Sequence, residues 1–205
     1  ENKMRLLFYL IFIISLDTYS HTKIFNGKVS IDNKLDNVLA TVITNKERIK
    51  KISCSASLIH PKVVLTASHC LSLVKTNTMH IYVGNGFTTG PIIPKSTKLY
   101  KVIKGHTYSN NWKEHDIAIL ILQDEITHIK PVKLINHSEL FSKIKAKKKL
   151  LIAGFGQYKN DKNARGEKRY GMSLLHSFDA NSILSLGGGT RSITNPNYHL
   201  PTPYK

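Results

Sequence analysis

The chain's two cysteines, Cys54 and Cys70, bracket a segment that can fold in few ways. It reads Cys54-Ser-Ala-Ser-Leu-Ile-His-Pro-Lys-Val-Val-Leu-Thr-Ala-Ser-His69-Cys70. Small residues leave the first cysteine, His60-Pro61 marks a turn, and a β-branched apolar stretch returns to the second. A hairpin of this kind brings its ends together, so Cys54 and Cys70 can come within bridging distance. They are then one local staple in an oxidising compartment, or a pair of free thiols. As a staple, a loop of about 16 residues contributes roughly 3 kcal/mol by restricting the unfolded chain. It would also hold His69 at a strand end.

The rest of the chain is built on the same scale. Val38–Ile43, Ile52–Leu58, Val63–Ala67, Met79–Val83, Leu99–Lys104, Ile117–Leu122 and Leu150–Ala153 are short apolar or alternating runs. Tyr170–Leu175 and Ser182–Leu186 are further strand candidates. The spacing of about 10–15 residues predicts an all-β barrel or sandwich. Ile117–Leu122 is apolar throughout and is expected to be buried on both faces. Past residue 20 no helical stripe carries caps at both ends, and only Leu71–Val74 suggests a single helical turn. Hydrophobic residues make up 41% and charged residues 21%, which supports a packed core and excludes a wholly disordered chain. The net charge of +17 predicts attraction to anionic partners such as nucleic acid, heparin-like polysaccharide or acidic lipid. Its densest cluster, Lys143–Lys149, reads as an exposed connection between two strand-rich blocks.

A second informative stretch is His115-Asp116-Ile-Ala-Ile-Leu-Ile-Leu122, where an acidic residue opens an apolar strand. A carboxylate there is expected to be partly desolvated, which is costly without a hydrogen-bonded partner. An imidazole N–H is such a partner. It would fix the ring's tautomer and stabilise the imidazolium. Either residue alone carries little weight. His69 and Asp116 in order, 47 residues apart, carry much more.

Together these segments resemble the trypsin/chymotrypsin family of serine proteases. Thr66-Ala67-Ser68-His69-Cys70 is similar to the family's catalytic-histidine motif, usually Thr-Ala-Ala-His-Cys. His115-Asp116-Ile117-Ala118 is similar to its aspartate motif, usually Asn-Asp-Ile-Ala. Ile24-Phe25-Asn26-Gly27 is similar to the Ile-Val-Gly-Gly terminus freed by zymogen cleavage, and Lys23 stands at the cleavage position. Pro131-Val-Lys-Leu134 and Gly154-Phe-Gly156 resemble two further landmarks, the latter usually Gly-Trp-Gly. The departures are small for small: Ser55-Ala56 replace Gly-Gly, and Ser68 replaces alanine. The resemblance implies a double Greek-key β-barrel, with the first barrel complete over residues 24–140 and the second incomplete over 141–205. It implies His69 as general base and then general acid, with Asp116 orienting it. It implies protein or peptide substrates, no cofactor and no metal. None of the ten histidines forms a ligand pair of the His-x-x-x-His kind beside an acidic residue. Gly187-Gly-Gly189 lacks the Lys-Ser/Thr of a phosphate-cradling loop.

The two ends of the sequence carry further expectations. Lys3 and Arg5 precede the apolar run Leu6–Leu16, too short to span a bilayer, and small residues follow at Thr18 and Ser20. Residues 1–20 therefore read as a signal peptide and 21–23 as a short activation propeptide. Such a chain is expected outside the cell, or in the periplasm of a bacterium, with no stable membrane insertion after cleavage. The family's Gly-Asp-Ser-Gly-Gly motif does not occur, and residues 201–205 fall about where the nucleophile loop should begin. The sequence thus reads as the N-terminal part of a secreted serine endopeptidase, inactive without the nucleophile. The competing reading is a catalytically dead relative that holds anionic polysaccharide on its basic surface, with no specific nucleic acid partner.

Overall fold

The computed structural model describes residues 27–187, apart from 32, 46–47, 73–77, 110–114, 147–148, 160, 162 and 179–182. The expected signal peptide and propeptide, with Lys23 and Ile24, lie outside the described residues, as do residues 188–205. After a two-residue strand, β1 (Lys28–Val29), come β2 (Val38–Thr44), β3 (Lys50–His60), β4 (Val63–Thr66), β5 (Met79–Tyr82), β6 (Leu99–Thr107) and β7 (Ala118–Leu122). Strands β2 to β7 close into a six-stranded barrel in the order β2-β3-β4-β7-β6-β5. Every pairing in it is antiparallel. The alternation legible in the sequence sends Leu39, Leu58, Val64, Ile81, Val102, Leu120 and Leu122 into the barrel interior, where all are fully buried. Each such side chain contributes on the order of 1.5–3 kcal/mol.

A second sheet follows, made of β8 (Lys149–Gly154), β9 (Arg169–Phe178) and β10 (Ile183–Gly187), joined by β1. Strand β9 is central. It pairs with β8 along one edge and with β1 and β10 along the other. The molecule is therefore mostly β, with a closed barrel and a partial second sheet.

Three expectations need correction. Strand β7 is buried on one face, not two: Ala118, Leu120 and Leu122 are buried, Ile119 and Ile121 are half-buried, and Ile117 is 55% exposed. The outer face of a barrel strand is covered only where another layer packs on it. Strand β2 has that layer, since Ala40 and Val42 pack outward against Ile93 and Phe155. Secondly, helix α2 (His137–Lys145) was not expected. Asn136 caps it, with Oδ1 accepting the Glu139 N–H at 2.8 Å, and Glu139 pairs with Lys143 at 3.4 Å. It is nine residues long, and its Phe141 is exposed. Part of the Lys143–Lys149 cluster therefore lies in a helix, and Lys149 opens β8. Thirdly, the single helical turn, α1, spans His69–Ser72 and so starts two residues earlier than expected.

The contact between the two layers has polar bonds set around the apolar packing of Phe155. Lys168 is fully buried, and its Nζ donates to the Leu35 carbonyl at 2.8 Å while lying 5.6 Å from the centre of the Phe155 ring. Burial pushes its ammonium down to about 8, with the Asp36 carboxylate pulling the other way. Beside it Glu167 and Arg169 form a pair at 2.7 Å, and Arg169 Nη1 donates to the Gly27 carbonyl at 2.8 Å. The Lys168 N–H donates to the Asn85 carbonyl at 2.7 Å, so the loop after β5 is tied to the start of β9. Gly86 allows this close approach, with φ at 82° and no room for a Cβ against the Gly166 backbone.

The lowered Lys168 value fixes the sign of a pH effect. Between about 8 and 10.5 the unfolded chain binds more protons than the folded one, so stability rises with pH across that window. Lys168→Met should remove this contribution. The stability difference between wild type and variant, from denaturant titrations, should change by up to roughly 3 kcal/mol between pH 7 and pH 10.5. An unchanged difference would show that Lys168 titrates normally.

Candidate active site

Strands β4 and β7 run antiparallel, with Thr66 opposite Ala118. The chain leaving β4 therefore reaches His69 close to where the chain entering β7 brings Asp116. His69 Nδ1 lies 2.7 Å from Asp116 Oδ2, the distance of a charge-assisted hydrogen bond in which Nδ1 donates. The His69 backbone N–H donates to the other carboxylate oxygen, Oδ1, at 2.9 Å. One carboxylate thus fixes both the ring and the main chain of the histidine. The side chains keep 50% and 39% of their exposure, so Asp116 is only partly desolvated.

The two cysteines are joined, with Cα atoms 6.3 Å apart, which settles the choice between a staple and free thiols. Two threonines hold the hairpin around the bridge. Thr41 Oγ1 accepts the Cys54 N–H at 2.9 Å, where the register of β2 against β3 shifts. Thr66 Oγ1 donates to the Ser55 carbonyl at 3.0 Å. His69 Nε2 faces the bridge, 3.5 Å from Cys70 Sγ and 4.0 Å from Cys54 Sγ. These three residues bring their ligand-type atoms within 4.8 Å of one another. Bonded sulfurs offer no thiolate, so the oxidised hairpin is not a metal site.

A shallow cleft of about 300 Å³ opens beside the pair, lined in part by Ser55, Ala56, Thr66, Ala67, Asp116 and Ala153. Ala153 belongs to the second sheet, so the cleft lies where the two layers meet. Ser55 also joins them: its Oγ accepts the Phe155 N–H at 2.9 Å, across 100 residues of sequence. Gly154 makes this possible, because a Cβ there would press on the Ser55 hydroxyl. In the sequence alone Ser55 reads only as one small residue in place of another. The available signal was its place beside Cys54, paired with a glycine-flanked aromatic at 154–156. His115 packs edge-on against Tyr108, with ring centroids 5.1 Å apart. Of the residues singled out from the sequence, His69, Asp116, Cys54 and Cys70 come together, and Lys23 and Ile24 lie outside the described residues. An imidazole fixed at Nδ1 by a carboxylate can take up a proton at Nε2 and be stabilised once charged.

Comparison with known proteins agrees with this geometry. Two curated proteins of Drosophila melanogaster, trypsin delta and trypsin gamma, are each 29% identical to the chain over 83 residues. Those residues are 40% of this chain and 32% of each relative, so the match spans about a third of the relatives' own length. The family profile described as Trypsin covers residues 26–174, a span that contains the closed barrel, the disulfide, His69 and Asp116. The chain belongs to the trypsin family.

Proposed function

We propose that the full-length protein is a secreted serine endopeptidase, made as a zymogen and activated by cleavage after Lys23. The observation that carries this reading is the 2.7 Å contact between His69 and Asp116, the latter lining the cleft. In this reading His69 takes the proton of a serine hydroxyl and later gives it to the leaving amine. Asp116 holds the ring and stabilises the imidazolium. A serine supplied from beyond residue 205 attacks the peptide carbonyl and forms an acyl-enzyme. Its backbone would also furnish the oxyanion hole. Residues 1–205 by themselves provide no such serine motif and are proposed to be inactive.

A second reading rests on the net charge of +17 and on cations such as Lys101 and Lys104 exposed along β6. In it, the chain is a protease-like protein without catalysis that holds anionic polysaccharide. Retention on heparin that falls steeply with salt, together with no hydrolysis by the full-length product, would favour it.

Two measurements test the first reading. The full-length, activated protein should cleave peptide substrates, and Asp116→Asn should lower kcat by roughly 10⁴-fold while leaving the fold intact. A variant that keeps wild-type turnover would remove Asp116 from the mechanism. Residues 1–205 expressed alone should show no hydrolysis above a His69→Ala control. Activity present in the first and absent from the second would overturn the claim that the nucleophile lies beyond residue 205.

A further inference from the structure

Asn136-His-Ser138 is the one Asn-X-Ser/Thr sequence in the chain. This is the acceptor pattern for N-linked glycans in the secretory pathway of eukaryotes. It sits on the exposed connection between the closed barrel and the second sheet, at the start of α2. We propose that Asn136 carries an N-linked glycan. The proposal rests on the secretion reading above, because only a lumenal chain meets the transferase.

The geometry at Asn136 suits this modification. Its Oδ1 accepts the Glu139 N–H at 2.8 Å and the Ser138 hydroxyl at 2.8 Å. Both bonds use the amide oxygen, whereas glycosylation uses the nitrogen. The helix cap and the glycan therefore occupy different atoms of one side chain. In the transfer, Asn136 Nδ2 bonds to the anomeric carbon of a lipid-pyrophosphate-linked oligosaccharide. The bond from that carbon to the pyrophosphate oxygen breaks, the lipid pyrophosphate leaves, and one amide proton passes to a base of the oligosaccharyltransferase.

The surroundings supply a reason for a glycan here. Leu134 is 60% exposed, and Ile135 and Phe141 are also exposed, so apolar side chains flank the acceptor in sequence on both sides. Exposed apolar groups that come together in one patch favour association. A bulky hydrated glycan at Asn136 stands beside them and keeps other molecules away.

The test is translation of the full chain with its own leader in the presence of microsomes, read by protease protection and by endoglycosidase treatment. Asp ranks with Asn as a helix cap, so Asn136→Asp removes the acceptor nitrogen and keeps the cap. Ser138→Ala breaks the pattern and leaves the amide in place. The expected result is a protected chain whose mobility shift is reversed by endoglycosidase and lost in both variants. A protected chain with no shift would overturn the glycan and leave the secretion reading standing. An unprotected chain would overturn the secretion reading and the glycan with it. A shift that persists in Asn136→Asp would place the modification elsewhere and also overturn the proposal.

Discussion

The antiparallel pairing of β4 with β7 is the constraint on which the site depends. Val63 lies opposite Ile121 and Thr66 opposite Ala118, and these rungs set His69 and Asp116 at one end of the barrel. The pairing is held by burial from within. Val64, Leu120 and Leu122 are fully enclosed, so a slip of one residue would turn this apolar set outward. Loss of register would also separate the carboxylate from both groups it holds, the His69 ring and the His69 main chain. Packing energy in the core thus becomes positional accuracy at the rim. The site itself is half-exposed and could not hold its geometry alone.

Much of this was legible in the sequence. Short alternating runs marked the strands, because a sheet with one wet face leaves a period of two in the residue order. The Cys54–Cys70 hairpin and the His69–Asp116 pair were legible because a bridge and a charge pair both need particular residue types at their ends. What stayed hidden depends on neighbours remote in sequence. Nothing in the order Glu167-Lys168-Arg169 says that the middle residue is fully buried, because its partner Leu35 lies 133 residues away. The single buried face of β7 was equally invisible, since isoleucines at 117, 119 and 121 read the same whether or not a layer covers them. Helix α2 could have been inferred from the cap spacing of Asn136 and Glu139 together with Leu140, Phe141 and Ile144 at helical spacing, but at nine residues the pattern is too short to stand out.

The first barrel and the second sheet meet through polar contacts as much as through apolar ones. Phe155 inserts its ring among Val42, Tyr82 and Ile93, which gives the contact an apolar centre. Around that centre stand the Lys168 bond to Leu35 and the Asn85 bond to Lys168. Buried polar groups specify geometry more sharply than apolar ones, because an unpaired donor is costly. The arrangement also explains why β1, first among the described strands, belongs to the second sheet: Arg169 and the β9 main chain hold it there.

The Ser55–Phe155 hydrogen bond offers a local reporter on the contact between the layers. It spans 100 residues and joins the β3 strand to the turn after β8. Neither partner can report on its own half of the molecule. The Phe155 amide is shielded through a hydroxyl that belongs to the opposite layer, so its exchange with solvent deuterium registers the parting of the layers rather than fraying of a strand. One backbone proton thus separates two motions that a global unfolding curve would merge.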